Sequence, residues 1–446
     1  MADEVNPANK GVVRATLVDT IAALGQVAAP TFAKGPIVRR PKAVALADWF
    51  DLDAKAIERM QKLREKYGTG PVILPIPGHP EAVILDGEQA RLILEKAPDP
   101  FDPDSSEKSA ALGHFEEQAS LVSSCPMREE RRAFNRAVLE EDCPVHSLAD
   151  DMLRVVAQEM ETLLRTCGEE LSWEPFFSAW NRIVRRVVLG DGAADDESLT
   201  EKLEELRFAA NWAFMHPRKD ALNESYHDAV AAHLARADKG SLAERIAAQN
   251  PDEGVAATHQ VAHYMFAFDP GGMTTFRTLG LLAVHSDAMA RARQEVATGD
   301  RRDLSFLRAC IVETLRLYPT TPAILRETTQ DVEWEGGTLE KGTGILIFAP
   351  YFHRDDALGD DAHRFNPDAW MGIDPADRAP FVPFSAGPAV CPARHFVPMI
   401  ASAAIACILD RQDVELLQPD LSTDKLPVTL DNYRQRFRLR SHATLP

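Results

Sequence analysis

The chain has 446 residues, 45% of them hydrophobic, with 49 Lys and Arg against 68 Asp and Glu, a formal net charge of −19. That length supports a large buried core, and so acidic a surface excludes the chain, taken as a whole, as a nucleic-acid binder. The six cysteines contain no C-x-x-C pair and are sparse for a secreted disulfide framework, which argues against zinc and for a reducing cytoplasm.

In chain order, residues 11–29 are apolar but interrupted by Arg14 and Asp19, too short and too polar to span a bilayer. They read as an amphipathic helix packed on the body, with loose attachment to a membrane surface as the alternative. No signal peptide and no transmembrane anchor are expected. The Pro/Arg-rich stretch 35–42 links this segment to the rest. Residues 53–67 predict a charged surface helix, 72–75 and 82–85 a hairpin around Pro77-Gly78, and 88–96 a short helix. Residues 99–124 read as irregular. Helices then dominate, over 126–141, 147–167, 174–189, 198–215, 221–237, 242–249, 255–285, 287–297 and 303–317. Short β segments return near 328–333 and 345–348. Residues 354–383 are Asp/Pro-rich and aperiodic, which in a compact domain marks a functional stretch. A last helix from Pro392 and a β-type tail follow. The fold class is mainly α with small β-sheets, as one domain over 1–446 whose residues 1–40 form an N-terminal helical extension.

Cys391 is the residue with the most chemistry. It ends the run Phe384-Ser385-Ala386-Gly387-Pro388-Ala389-Val390-Cys391, a loop broken by Gly and Pro, and the apolar run 396–409 follows. A lone cysteine is ordinarily an inert structural thiol. A loop that aims a thiolate at the N-terminus of a helix suits an axial heme ligand, because loop amides and the helix dipole favour the deprotonated sulfur. Thiolate ligation pushes electron density onto iron and favours O–O cleavage.

Two further patterns precede that loop. Glu313 and Arg316 stand three apart on a predicted helix, so they share a face, and Ile311, Val312, Leu315 and Leu317 surround them. They read as a structural, partly buried ion pair. Phe365, Pro367 and Trp370 then form F-x-P-x-x-W.

The order E-x-x-R, F-x-P-x-x-W, F-x-x-G-x-x-x-C resembles the cytochrome P450 family, the heme-thiolate monooxygenases, in its bacterial, soluble form, and the resemblance runs over nearly the whole chain. It implies the cytochrome P450 fold, heme b as cofactor, and Cys391 as the iron ligand in a loop shaped by Pro383, Phe384 and Gly387. It implies that Arg131 and Arg326 bind the heme propionates, that Met127 stands where a His is usual, and that Ala389 stands where many members place a further propionate ligand. Arg364 is expected to join the Glu313–Arg316 network. On the central helix, Gly271 matches the oxygen groove and Thr274 the threonine that hydrogen-bonds oxygen. Met273 replaces the usual acid, so protons must come through Thr274 or through Asp269, about one turn away. Pro270 should kink that helix. The implied pocket includes Phe115, Phe208, Trp212, Phe266, Ala323 and Ile324.

The implied activity is hydroxylation of a lipophilic small molecule with O2 and electrons from an external ferredoxin or flavodoxin and its reductase. Arg128, Arg132 and Arg136 recur every four residues and are expected to face outward as a docking stripe for that partner. The alternatives are a peroxide-using or hydroperoxide-rearranging heme-thiolate enzyme, suggested by Met273, and, last, a heme-binding sensor.

Overall fold

The computed structural model describes residues 10–441; residues 1–9 of the N-terminal extension and 442–446 of the tail lie outside it. Its strands are β1 (Val13–Arg14), β2 (Val72–Leu74), β3 (Glu81–Val83), β4 (Phe101–Asp102), β5 (Glu170–Ser172), β6 (Ala323–Thr328), β7 (Val332–Trp334), β8 (Gly337–Leu339), β9 (Gly344–Phe348), β10 (Gln412–Gln418) and β11 (Arg436–Ser441). Six of them form one mixed sheet in the order β1-β2-β3-β9-β6-β4. The hairpin pairs Ile73 with Ala82, and Ala82 in turn lies beside Ile345 of β9. Residues more than 260 positions apart thus share one apolar sheet core, made by Val72, Ile84, Ile345, Ile347 and Tyr351. A three-stranded sheet (β10-β11-β5) and the β7-β8 hairpin complete the β structure.

The larger core is helical. The central helix, Ala257–Val284, packs against the helices Trp173–Leu189, Ser305–Leu317 and Phe396–Leu409. Large rings fill the junction: Phe176 and Phe276 lie 4.9 Å apart, and Phe268 meets Phe396 edge-on at 5.9 Å. A helix apolar on most of its circumference is stable only when other helices enclose it, as here.

Four details depart from the sequence reading. Within the N-terminal extension, Val13–Arg14 is a strand paired with β2, and only from Leu17 does the chain turn helical. Residues 106–112 are a helix, because Ser105 caps it by accepting from the Lys108 amide. The helix expected over 198–215 stops at Ala210. There the Asn211 side chain accepts from the Ile37 and Val38 amides and donates to the Val38 carbonyl, so the N-terminal segment takes over the chain's polar groups. The last helix starts at Phe396, not Pro392, and residues 392–395 form a turn between it and the cysteine.

Candidate active site

The Cys391 loop is held from behind by a chain of buried polar groups. Arg316 donates to both Glu313 oxygens, from Nε at 2.8 Å and from Nη2 at 2.7 Å. The same carboxylate accepts from the Asn366 amide at 2.9 Å and from Trp370 Nε1 at 2.8 Å. Glu313 is fully buried, so these four bonds are what make its charge tolerable. Arg316 goes on to the carbonyls of His353 and Arg364. His353 accepts from the Val382 amide at Nε2, which leaves Nδ1 protonated to donate to the Arg316 carbonyl. Burial, with Arg316 nearby, pushes its pKa down to about 3, so it stays neutral. Val382 opens the loop. The ion pair, the aromatic motif and the cysteine loop are therefore one continuous hydrogen-bonded frame.

Arg364 enters this frame only through its carbonyl. Its guanidinium pairs with Asp360 at the surface, contrary to expectation. The arginine that is inside is Arg354, fully buried, donating to the Leu426 and Pro427 carbonyls and to His363. Sequence reasoning missed it; its only signal was a charge next to the aromatic run Tyr351-Phe352.

In the loop itself, the Cys391 amide donates to the Phe384 carbonyl at 2.9 Å. Gly387 has φ +67°, and a Cβ there would come within 2.2 Å of the Leu94 carbonyl, so only glycine lets the loop pass this close. Burial raises the Cys391 thiol pKa, while the Ala393 amide, Arg132 and Arg394 favour the thiolate. The favourable groups come from the turn after the cysteine and from the facing Met127–Leu139 helix.

That facing helix corrects three expectations. Arg131 does not reach toward Arg326; it is spent on the Gly254 carbonyl, Ser123 Oγ and Gln118 Oε1. Met127 sits on the same side, against Gly254. The outward stripe is instead mostly inward: Arg128 is buried near Asp102 and Arg326, and Arg132 lies beside Cys391, leaving Arg136 as the exposed member. Arg132, Arg136 and Arg394 all converge on the buried Glu141. One residue of helical phase, about 100°, separates the two readings.

Arg326 is buried, with Nη2 on Ser385 Oγ at 3.3 Å and an Nε that has no partner. Burial, together with the neighbouring Arg128 charge, pushes its pKa down to about 10. Lys108 is also in this group, bonded to the carbonyls of Pro103 and Leu325. Three cations crowd here against Asp102 and Asp104, and one carries an orphaned donor. A ligand bearing carboxylates would relieve that arrangement. Together with the Cys391 sulfur, the set fits heme b; Arg326, Arg128 and Lys108 are the residues that would hold its propionates. Lys108 and Arg128 were not foreseen; the signal for Arg128 was its place one turn before Arg132.

On the central helix, the Thr274 hydroxyl donates to the Pro270 carbonyl at 2.8 Å, and Pro270, lacking an N–H, leaves the Phe266 carbonyl without its helical partner. The helix runs unbroken through it. A Cβ on Gly271 would lie 2.8 Å from Val397 Cγ1, so this glycine lets the central helix touch the helix that follows Cys391. Asp269 is ion-paired with Arg207 of the Glu197–Ala210 helix at 2.5 Å. Arg207 also lies over the Phe266 ring, 5.0 Å from its centroid, and Phe266 meets Phe115 edge-on at 5.5 Å.

The proposed pocket set divides. Phe115 and Phe266 pack together under Arg207. Ala323 and Ile324 are neighbours on β6, so their side chains point to opposite faces, and Ile324 belongs to the sheet core. Phe208 is 54% exposed, and Trp212 packs at the surface against Phe32 and Arg40. Helical phase again decides: Phe208 follows the inward Arg207 by one position.

The family described as Cytochrome P450 matches residues 255–433. Among curated proteins, "Cytochrome P450 4V2" of Rattus norvegicus is 34% identical over 125 residues, 28% of this chain and 24% of that protein. "Cytochrome P450 734A5" of Oryza sativa subsp. japonica is 35% identical over 159 residues, 32% of this chain and 29% of its own. The chain thus covers about a quarter of the length of the curated relatives it matches. A zebra fish cytochrome P450, solved with abiraterone, superposes with a TM-score of 0.68 over 86% of this chain and 98% of that one, at 18% identity. The fold is the cytochrome P450 fold, and residues 255–433 match the model of that family. No helix among the described residues is long and apolar enough to cross a membrane.

Proposed function

We propose that this chain, which has the cytochrome P450 fold and matches that family's model over residues 255–433, hydroxylates a lipophilic small organic molecule with O2 and electrons from a separate redox protein. The reading extends to a bacterial, soluble, cytoplasmic enzyme served by a ferredoxin or flavodoxin and its reductase. The observation that carries it is the Cys391 loop, fastened through Val382 and His353 to the Glu313–Arg316 pair. Thiolate-ligated heme, when bound, supplies the activation of O2 and the insertion of one oxygen atom into a C–H bond, for two electrons and two protons. Cys391 would give the sulfur, and Arg326, Arg128 and Lys108 would neutralise the propionates. Thr274 holds a hydroxyl on the helix facing the Cys391 side, ready to exchange its bond to the Pro270 carbonyl for one to water. Asp269 is the acid nearest in sequence, and its pairing with Arg207 must loosen for it to pass a proton. Phe115 and Phe266 supply the apolar contact for substrate.

Met273 supports a second reading, peroxide-driven oxidation, because a thioether carries no proton at the position of the usual acid. Comparing turnover with NADPH, ferredoxin and ferredoxin reductase against turnover with hydrogen peroxide separates the two. The first reading expects reductase-driven product well above the peroxide rate. Product from peroxide alone would overturn it in favour of the second.

A further inference from the structure

Arg39 and Arg277 form no ion pair among the described residues. Arg39 donates to the carbonyls of Gly35 and Thr320, at 2.9 and 2.7 Å. Arg277 donates to the Leu430 carbonyl at 2.8 Å and to Asn432 Oδ1 at 3.2 Å. All four acceptors are neutral. Both arginines line one cavity of about 60 Å³, set between the N-terminal segment, the central helix, the end of the Ser305–Leu317 helix and the loop 428–433. Lys34 lines it too, but Lys34 is bonded to Asp53, whose other oxygen accepts from Thr429 Oγ1 at 2.7 Å. The lining therefore holds three cations against one carboxylate, and that carboxylate is already engaged. Asp431 also acts on Arg277, but from outside the lining and without an ion pair.

A fully buried donor belongs to the same cavity. Asn432 lines it, and because a guanidinium can only donate, the Asn432 oxygen is the atom that meets Arg277. Its Nδ2 is left with no partner, which is costly for a buried amide. Burial, with the Arg39 charge beside it, pushes the Arg277 pKa down to about 10, so Arg277 remains a cation that lacks a counter-charge. The Arg277 guanidinium and Asn432 Nδ2, held together through Asn432 Oδ1, match the two oxygens of a carboxylate. The rest of the wall is largely apolar, with Val44, Leu317, Pro322, Pro350 and Val428, which suits a hydrocarbon body and would leave the further oxygens of a phosphate unbonded. We infer that this cavity binds the carboxylate of a lipophilic organic acid. Arg277 stands three residues beyond Thr274, about 4.5 Å along the central helix, and Arg39 bonds the Thr320 carbonyl just before β6. The acid is therefore either the end of the substrate itself or a separate small acid bound beside it. Only the first of these sources rests on the monooxygenase reading.

The test is isothermal titration calorimetry of the heme-loaded protein with benzoate and with benzamide, which has nearly the same shape without the charge. Benzoate should bind about tenfold or more tightly than benzamide. Arg277→Met should remove that preference, and Arg277→Lys, which keeps the charge, should restore part of it. Arg39→Met is an independent variant, since its lost bonds go only to two carbonyls, and it should also weaken benzoate. Circular dichroism of each variant separates lost binding from lost folding. The ferric Soret band, recorded in the same titration, distinguishes the two sources. A shift to shorter wavelength marks an acid that reaches the heme; an unshifted band with the heat of binding intact marks a separate acid. Benzoate that binds no better than benzamide would overturn the inference. So would a preference that survives in folded Arg277→Met, or inorganic phosphate that binds more tightly than benzoate. The heat of binding needs no redox partner and no turnover, so failure here and failure of the monooxygenase reading are separate results.

Discussion

The two sides of the site are built differently. Behind Cys391, the buried charges sit in networks: Glu313 accepts four bonds, Glu141 gathers three arginines, and Arg394 also pairs with Asp374. Across the central helix, three polar groups stand in single pairs: Asp269 with Arg207, Glu116 with His263, Thr274 with its own helix. Dense networks resist movement, whereas single pairs can open. The contrast suits a ligand loop that must stay fixed and a distal side that must admit substrate, water and protons.

The sharpest way to break this contrast is on the dense side. Glu313→Ala leaves Arg316 buried without its counter-charge and strips bonds from Asn366 and Trp370. A loss of about 3–5 kcal/mol in urea denaturation is expected, with failure to retain heme. On the sparse side, Asp269→Asn keeps the shape but removes the proton. Reductase-driven oxidation should slow by roughly a hundredfold while peroxide-driven turnover holds, and Met273→Glu should restore part of the coupling of electrons to product. Arg326→Leu should weaken heme retention by about 1.5–3 kcal/mol, read as faster heme transfer to apomyoglobin; the same change at Arg131, whose bonds go elsewhere, should have a smaller effect.

The distal pair also gives a pH test. Burial, only partly offset by His263, raises the pKa of Glu116, whose Oε2 has no hydrogen-bond partner. Burial alone would lower His263, but the Glu116 carboxylate outweighs it and raises that pKa above 6.5. In both cases the folded state holds its proton longer than the unfolded state. Stability is therefore lost as pH rises, from about 4.5 upward for Glu116 and from 6.5 through the raised value for His263. The thermal midpoint should fall across that range, and Glu116→Gln should flatten the decline, an effect on the order of 1 kcal/mol. Smallest of all, Arg364→Ala should cost less than about 0.5 kcal/mol, because its ion pair with Asp360 is at the surface.

These outcomes follow the line between what was legible in the sequence and what was not. Motifs with fixed local spacing were legible: Glu313 and Arg316 on one helical face, and Phe365, Trp370 and Cys391 in order. Their meaning depends on neighbours a few residues away. Helical phase was not legible at the Met127–Leu139 helix, where a crowd of arginines gives no apolar stripe to set which side faces in. So Arg131 was expected where Arg128 and Arg132 lie. The same loss of phase put Phe208 in the pocket beside Arg207. Long-range partners were invisible as well: Asn211 ends a helix by bonding Ile37 and Val38, more than 170 positions away. The strand at Val13–Arg14 exists only because β2 pairs with it.

The most direct measurement is the ferrous–CO absorption spectrum of the heme-loaded protein beside that of Cys391→Ser. The parent should show the red-shifted Soret band of a thiolate-ligated heme, and the variant should lose it while keeping its far-ultraviolet circular dichroism. A red-shifted band that survives in the folded variant, or one absent from the parent, would contradict the assignment of Cys391 as the iron ligand and, with it, the heme-thiolate reading of the site.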